Sequence, residues 1–180
     1  MKKLIIIFIG MLFFLTILTP NTEAATQNLK YKNLKLPYLY NYTNAKALKN
    51  GTYKFYGIGI GNTKKFMVSS WGNPNYSSTS RDAMELAGYY YYGVNENLTV
   101  AAYSKNRYTS TNNLKIQSIT ISDRYKRYEL SKVKKYFGTP SNTFTSDGYK
   151  YYHYGDILMI CFVKSNGKWY VEDIDMTKYS

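Results

Sequence analysis

An internal repeat is the feature that most restricts how this chain can fold. Residues 63–74 align with residues 129–140, and in both a short stretch with helical spacing ends on an aromatic residue before Gly-x-Pro. Farther along, 89–93 (Tyr-Tyr-Tyr-Tyr-Gly) aligns with 151–155 (Tyr-Tyr-His-Tyr-Gly), and each run precedes an apolar stretch and then a strand-like segment. Four elements recur in the same order. The sequence therefore predicts an α+β fold of two tandem repeats, each a short helix packed on about three antiparallel strands.

Apolar spacing predicts the helix of the second repeat. Leu130, Val133 and Phe137 share one helical face, while Lys132 and Lys135 project from the other. A glycine follows directly and a proline stands two positions later, which is the usual sequence at a helix end. We therefore expect a helix that buries its apolar face and exposes its lysines.

The first repeat carries the same pattern with different side chains. Met67 and Trp71 share a helical face with Phe66 at its edge, and Gly72 and Pro74 provide the same stop. Short polar segments at 95–97 and 165–167 predict turns between strands. Residues 77–86 fit either a loop with a short helix or a strand.

The N-terminus predicts export. Residues 1–24 begin with two lysines, continue as an apolar run of about 15 residues and end with small residues at Thr22 and Ala24, as in a secretory signal peptide. The run is short of the ~20 residues that span a bilayer. Cleavage after Ala24 would leave a mature chain beginning at Ala25. We expect it to be secreted, extracellular or held non-covalently at the cell surface.

The mature chain divides into three segments. Residues 25–52 are rich in Lys, Asn and Tyr and poor in aliphatic side chains, so we expect either a mobile arm or a loosely packed lead-in. A strand is expected at 53–56. Residues 53–122 and 123–180 form the two repeat units. A single Cys excludes a disulfide framework, so the fold depends on an aromatic-rich core supplied by 22 Tyr and the five Phe that follow residue 24.

Charge is the strongest indication of function. Without Lys2, Lys3 and Glu23 the chain keeps 22 basic and 10 acidic residues, a net charge of +12. Such a charge favours anionic partners. Only four of the basic residues are Arg, and Lys lacks the bidentate fork that recognises base edges. The composition therefore suits bulk electrostatic attraction rather than sequence-specific recognition.

The densest basic segment predicts the binding surface. Six cations fall within residues 124–135, opposed there by Glu129 alone. Five of them would be presented together before and along the second helix, and we assign them to polyanion binding: Arg124, Lys126, Arg127, Lys132 and Lys135. The alternative is a solvated face that only keeps the protein soluble.

The tyrosine runs predict a second surface. Successive strand residues face opposite sides, so one row of each run packs on a helix and the other is exposed. We assign the exposed aromatic surface to Tyr89, Tyr91, Tyr152 and Tyr154. Aromatic rings beside cations suit single-stranded nucleic acid or carbohydrate. The alternative is cross-strand pairs that stabilise a sheet with one wet face.

The sequence gives little support for catalytic or metal chemistry. The glycines at 57, 59 and 61 match neither the dinucleotide nor the P-loop fingerprint. His153 and Cys161 are the single His and Cys, and Cys161 lies inside an apolar run, where a buried thiol is usually unreactive. The acidic residues lack calcium-loop spacing, and the cluster at 172–175 is expected to pair with nearby Lys or lie at a solvated edge. We expect no catalytic residue, no metal and no cofactor.

The helix–aromatic-Gly element and the Tyr-Tyr-His-Tyr-Gly run with its apolar strand resemble the immunodominant staphylococcal antigen B family of small, basic secreted proteins. The resemblance covers residues 55–176 and is strongest over 130–174. The small basic plan is also similar to that of the staphylococcal small basic protein of biofilm matrix. These resemblances imply an extracellular, non-enzymatic protein and, for the antigen family, nucleic-acid binding. The duplicated plan is similar to β-lactamase-inhibitor-like tandem repeats, a resemblance of fold that implies little about function.

Two function classes follow. The first is electrostatic binding of extracellular polyanions, such as DNA, RNA or teichoic-acid-like wall polymers, without sequence preference. The second is a protein-binding module, either a host-directed factor or an inhibitor, that uses the tyrosine surface. An enzyme is the least supported class. A salt titration distinguishes the first two, because counterion release makes nucleic-acid affinity fall steeply with salt.

Overall fold

In the part of the chain that the structure describes, three α-helices and one antiparallel sheet of eight strands make up the fold, which is α+β as expected. The structure is a computed structural model that describes residues 26–178, so the predicted signal peptide lies outside the described residues. The helices are α1 (Tyr42–Lys49), α2 (Lys64–Trp71) and α3 (Leu130–Phe137). The strands are β1 (Tyr76–Arg81), β2 (Leu86–Tyr92), β3 (Leu98–Ser104), β4 (Lys115–Ser122), β5 (Asn142–Ser146), β6 (Tyr149–Tyr154), β7 (Leu158–Ser165) and β8 (Lys168–Thr177).

The sheet consists of two meanders joined at its centre. The strand order is β1-β2-β3-β4-β8-β7-β6-β5, and β4 pairs with β8. Four strands follow each of α2 and α3, where the sequence predicted about three. The two additional strands, β1 and β5, are the edges of the sheet, and nearly all their residues are exposed. Neither carries apolar–polar alternation, because neither has a face to bury.

The helices lie on one face of the sheet, and the core fills the space between. Met67 and Trp71 of α2 and Val133 and Phe137 of α3 are buried, as their spacing predicted. The glycine after α2 has φ 79° and that after α3 has φ 77°. A side chain with a Cβ is strained at such angles, so these glycines end both helices where the sequence placed the stops.

The lead-in is packed against the core, so the prediction of a loose segment was wrong. Four leucines of this segment are fully buried or nearly so: Leu29, Leu34, Leu39 and Leu48. Helix α1 begins at an Asn41 cap, whose Oδ1 accepts the Asn44 N–H at 2.9 Å. The strand expected at 53–56 is also absent: this segment makes only the isolated bridge Phe55–Ile58.

The rings of the two tyrosine runs alternate between the faces of the sheet, as strand geometry requires. The predicted exposed face was right for the first run and wrong for the second. Tyr89 and Tyr91 lie on the face away from the helices, as predicted. Tyr152 and Tyr154 lie on the helix-covered face: Tyr154 packs on Phe137 with ring centroids 5.5 Å apart, and Tyr152 contacts another core ring. In the alignment of the two runs, Tyr152 and Tyr154 correspond to Tyr90 and Tyr92, which are both buried.

Candidate polyanion-binding surface

A cluster of tyrosine rings joins the lead-in to the second half of the chain. Tyr40 contacts Tyr128 at 5.2 Å and Tyr136 at 5.8 Å between ring centroids, and Tyr42 contacts Tyr136 at 4.9 Å. The Tyr40 hydroxyl also accepts the Glu129 N–H at 3.0 Å, at the start of α3. The N-terminal segment therefore lies directly beside the basic segment identified from sequence.

Helix α3 presents its lysines to solvent. Val133 and Phe137 point into the core, so Lys132 and Lys135 project outward, as predicted, and Lys134 is exposed as well. The half-buried Tyr136 follows Lys135 directly and carries the ring contacts to the lead-in. The cations of α3 thus border the tyrosine cluster.

The loop before α3 supplies two further exposed cations. The Arg124 guanidinium donates to the Asn95 carbonyl at 3.2 Å, and the Lys126 ammonium donates to the Ser165 hydroxyl at 3.3 Å. Neither contact neutralises the charge. Tyr125 between them is exposed, and its hydroxyl accepts from the Asn33 side chain at 2.7 Å. The loop therefore presents charge and an aromatic ring side by side.

Arg127 differs from the other predicted cations because its charge is already paired. Its guanidinium lies 3.1 Å from the carboxylate of Asp123, which is only 1% exposed. The same carboxylate accepts the backbone N–H groups of Tyr125 and Arg127, so it organises the loop. The expectation that Arg127 is free to bind a polyanion does not fit this geometry, because the buried Asp123 would then lose its counter-charge.

We name the resulting site the basic tyrosine surface. It comprises the exposed cations and exposed rings around the cluster: Arg124, Lys126, Lys132, Lys135, Tyr38, Tyr42 and Tyr125. Within residues 26–178 the ion pairs are Asp123–Arg127 and Glu129–Lys168, so none of the four surface cations has an ionic partner. Sequence reasoning missed Tyr38 and Tyr42, and no local pattern indicates them, because Tyr42 opens helix α1 and the rings that hold both tyrosines are distant in the sequence.

The opposite face of the sheet has a different character. A groove of about 560 Å³ there is lined by two rings, two carboxylates, one lysine, one glutamine and small side chains; the larger residues are Tyr89, Tyr103, Glu85, Asp175, Lys105 and Gln117. Beside it, burial first and then the neighbouring Asp175 and Glu172 raise the pKa of Asp173 to about 6. This acidic group lies on the central strand β8 and forms no ion pair in the part of the chain described, contrary to the expected lysine partners or solvated edge.

The remaining candidates for chemistry have structural explanations. Burial raises the pKa of the Cys161 thiol to about 12, and the residue opposite His153 in the sheet is Met159 rather than Cys161. The Gly59 N–H donates to the Asn62 side chain and the Gly61 N–H to the Ile116 carbonyl, so these donors are already engaged.

Two other kinds of site find no support in residues 26–178. No group of three or more His, Cys, Asp and Glu side chains there could hold a metal ion. None of the helices described is long and apolar enough to cross a membrane. No family model, curated protein or solved structure matches this chain.

Proposed function

We propose that this protein is a secreted, non-enzymatic binder of extracellular polyanions, and that the basic tyrosine surface is its binding site. The observation that carries the proposal is the cluster of four exposed cations that form no ion pair among residues 26–178, beside three exposed tyrosine rings. The high net positive charge of the chain adds a long-range attraction for the same ligands.

The chemistry of this surface favours single-stranded nucleic acid among polyanions. Lysine ammonium groups attract phosphates without selecting a base, and stacking on an aromatic ring is available to any unpaired base. Tyr42 is 68% exposed and is held by Tyr136, so its ring is both accessible and oriented. A duplex or a teichoic-acid-like polymer would use the cations but not the rings.

A salt titration with an oligothymidylate probe tests the cations. If about four phosphates are engaged, log affinity should fall against log salt with a slope near −3, at ~0.7 per phosphate on a single strand. Replacing Lys126, Lys132 and Lys135 by Gln should make the slope shallower by about 2 and weaken binding to all sequences alike.

The matched control removes the same charge elsewhere. Lys54, Lys65 and Lys164 are exposed and lie outside the basic tyrosine surface, so their triple Gln variant has the same net charge. This control should keep the wild-type slope. Equal losses in the two triple variants would show that binding follows net charge alone and that the surface is not a site.

A ring substitution tests the preference for unpaired bases. Tyr42→Leu keeps apolar contact with Tyr136 but removes the stacking ring, so affinity for oligothymidylate should fall about 5–10-fold. Affinity for inorganic polyphosphate should remain unchanged, because polyphosphate has no base to stack. An equal fall for both ligands would contradict the assigned role of the ring.

A protein-binding module is the second candidate, favoured by the groove between Tyr89 and Tyr103 on the open sheet face. Two rings and two carboxylates, with Lys105 as the one cation of the lining, over a floor of small residues suit a protein loop better than a polyanion. Such an interface would change little with salt. Substituting Tyr89 by Ser should abolish it while leaving oligothymidylate binding intact, which separates the two functions.

We also propose that the fold is a tandem duplication of one helix-plus-sheet unit, in the β-lactamase-inhibitor-like arrangement. The support is the recurrence of one helix and four strands in each half, with the sheet order symmetric about the β4–β8 pair. A unit of about 60 residues without disulfide or metal has too little core to be robust alone. An isolated 123–180 fragment should therefore be weakly folded, and a cooperative unfolding transition of that fragment would contradict this.

A further inference from the structure

We infer that the edge strand β5 pairs with β5 of a second copy of this chain, joining two sheets into one continuous antiparallel sheet. All five residues of β5 are exposed, and no strand lies beyond it among the residues described. An edge with unpaired N–H and C=O groups is a ready template for another strand.

The turn that follows β5 determines which backbone groups face outward. Asp147 and Gly148 have φ of 51° and 82°, the left-handed pair of a two-residue type I′ hairpin. The residues that flank such a turn, Ser146 and Tyr149, form a hydrogen-bonded pair. Ser146, Phe144 and Asn142 therefore point their backbone N–H and C=O groups toward β6. The residues between them point theirs away from the sheet.

Thr143 and Thr145 are the residues with outward-facing groups. Among residues 26–178 their N–H and C=O groups enter no backbone hydrogen bond outside the strand ladders. A two-fold axis through Phe144 would place each threonine opposite the other threonine of the second copy. About four inter-strand hydrogen bonds would then form, with the two Phe144 side chains facing each other as a close, non-hydrogen-bonded pair.

The composition of β5 distinguishes it from the other edge. Natural edge strands are usually protected by charge, proline or a bulge. The strand β5 is Asn-Thr-Phe-Thr-Ser, with no charged residue and no proline. At the other edge, β1 ends in Arg81, whose guanidinium donates to the Arg107 carbonyl. Of the two edges, β5 is therefore the unprotected one.

Aromatic packing adds an apolar contribution at the same place. Phe144 is 46% exposed and stacks on Tyr151, with ring centroids 4.6 Å apart and planes 14° from parallel. It also lies 5.7 Å from the His153 ring. Pairing across the axis would continue this row of rings from one copy into the next and bury the exposed edge of Phe144.

The net charge of the chain makes the salt dependence diagnostic. Two copies repel each other through their positive charge, and salt screens that repulsion. Pairing through the uncharged β5 should therefore strengthen with added salt, whereas polyanion binding should weaken. The two proposals are independent, and failure of one is recognisable without the other.

Sedimentation velocity of the mature chain, from about 10 to 500 µM protein at about 0.05 and 0.5 M NaCl, tests the inference. Wild type should approach twice the monomer mass with rising concentration, more readily at the higher salt. Thr143→Lys with Thr145→Lys places like charges opposite each other and should raise the dissociation constant at least ~10-fold. Thr143→Lys with Thr145→Glu places opposite charges together and should restore association.

The control lies on the other edge of the sheet. Ser77→Lys with Thr79→Lys adds to exposed positions of β1 the same charge that the double-Lys variant adds to β5. Association of this control should be as strong as that of the Lys/Glu variant or stronger. Thermal unfolding followed by circular dichroism verifies that every variant is folded. The inference is overturned if wild type stays monomeric at every concentration, or if the double-Lys β5 variant associates as strongly as wild type. It is also overturned if the Lys/Glu variant does not recover association, or if the β1 variant loses it.

Discussion

Replacing Asp173 by Asn should stabilise this protein at neutral pH and leave it unchanged at low pH. Asp173 lies on β8, opposite Cys161 of β7 and Ser122 of β4, in the middle of the sheet. Burial, and then repulsion from Asp175 and Glu172, raise the pKa of its carboxyl group from 3.8 to about 6. The ionised form is therefore less stable in the folded protein than in the unfolded chain.

The sign of the pH effect follows from this raised pKa. Below about pH 4 the carboxyl is protonated in both states, so it costs no stability. Between about pH 4 and 6 the unfolded chain releases the proton first, and the free energy of unfolding falls. A shift of about 2 pH units at 1.36 kcal/mol each corresponds to about 3 kcal/mol, constant above pH 6. Asn cannot ionise and avoids this cost.

Urea denaturation followed by tryptophan fluorescence, at several pH values from about 4 to 8, measures the effect. The difference in unfolding free energy between Asp173→Asn and wild type should be near zero at pH 4 and rise to about 1–3 kcal/mol by pH 7.5, allowing for imperfect hydrogen bonding of the amide. Asp156→Asn, at an exposed turn, is the matched control. A pH-independent difference, or none at pH 7.5, would refute the argument.

Three further outcomes follow from the packing. Arg127→Gln should destabilise the fold by about 2–4 kcal/mol in urea denaturation, since it leaves the buried Asp123 without its counter-charge, and an unchanged midpoint would contradict this. Trp71→Ala should cost about 3–5 kcal/mol, because the fully buried ring packs on Tyr92 and donates to a backbone carbonyl. A thiol reagent should fail to modify Cys161 in the native protein, and rapid labelling would show that the strand opens readily.

The parts of the fold predicted from sequence are those where burial imposes a period. Met67 and Trp71, like Val133 and Phe137, are spaced so that one helical face meets the sheet, and a positive-φ glycine then stops each helix. The turn at 165–167 was predicted for a similar local reason, since Asn166 and Gly167 both adopt positive φ. Such signals need no knowledge of distant parts of the chain.

The missed parts depend on tertiary contacts. Leu29, Leu34 and Leu39 are buried by the sheet and helices above them, not by any periodicity of their own, so composition alone suggested a loose segment. Edge strands β1 and β5 receive their hydrogen bonds from one neighbour and bury neither face. Nothing in their own residues distinguishes them from loops.

The candidate site was predicted in part. Lys132 and Lys135 project outward because the opposite helical face is buried, which is a local argument. The rings of Tyr38 and Tyr42 could not be assigned, because the tyrosines that hold them follow about 90 residues later, a separation that the sequence does not connect. The Asp123–Arg127 pair, by contrast, has an i, i+4 spacing, and residues so close along the chain can form an ion pair without any distant contact.

The long separation between the lead-in and its partners affects the order in which this protein can fold. The Tyr40 hydroxyl accepts from a residue 89 positions later, and the Lys49 ammonium donates to a carbonyl 88 positions later. The central strand β4 likewise waits for β8, the last strand of the chain. A chain threaded N-terminus first through a pore thus emerges with its earliest residues lacking their contacts. Non-local pairing of this kind slows folding, so a chain exported as proposed should complete its fold only after nearly all of it has passed through.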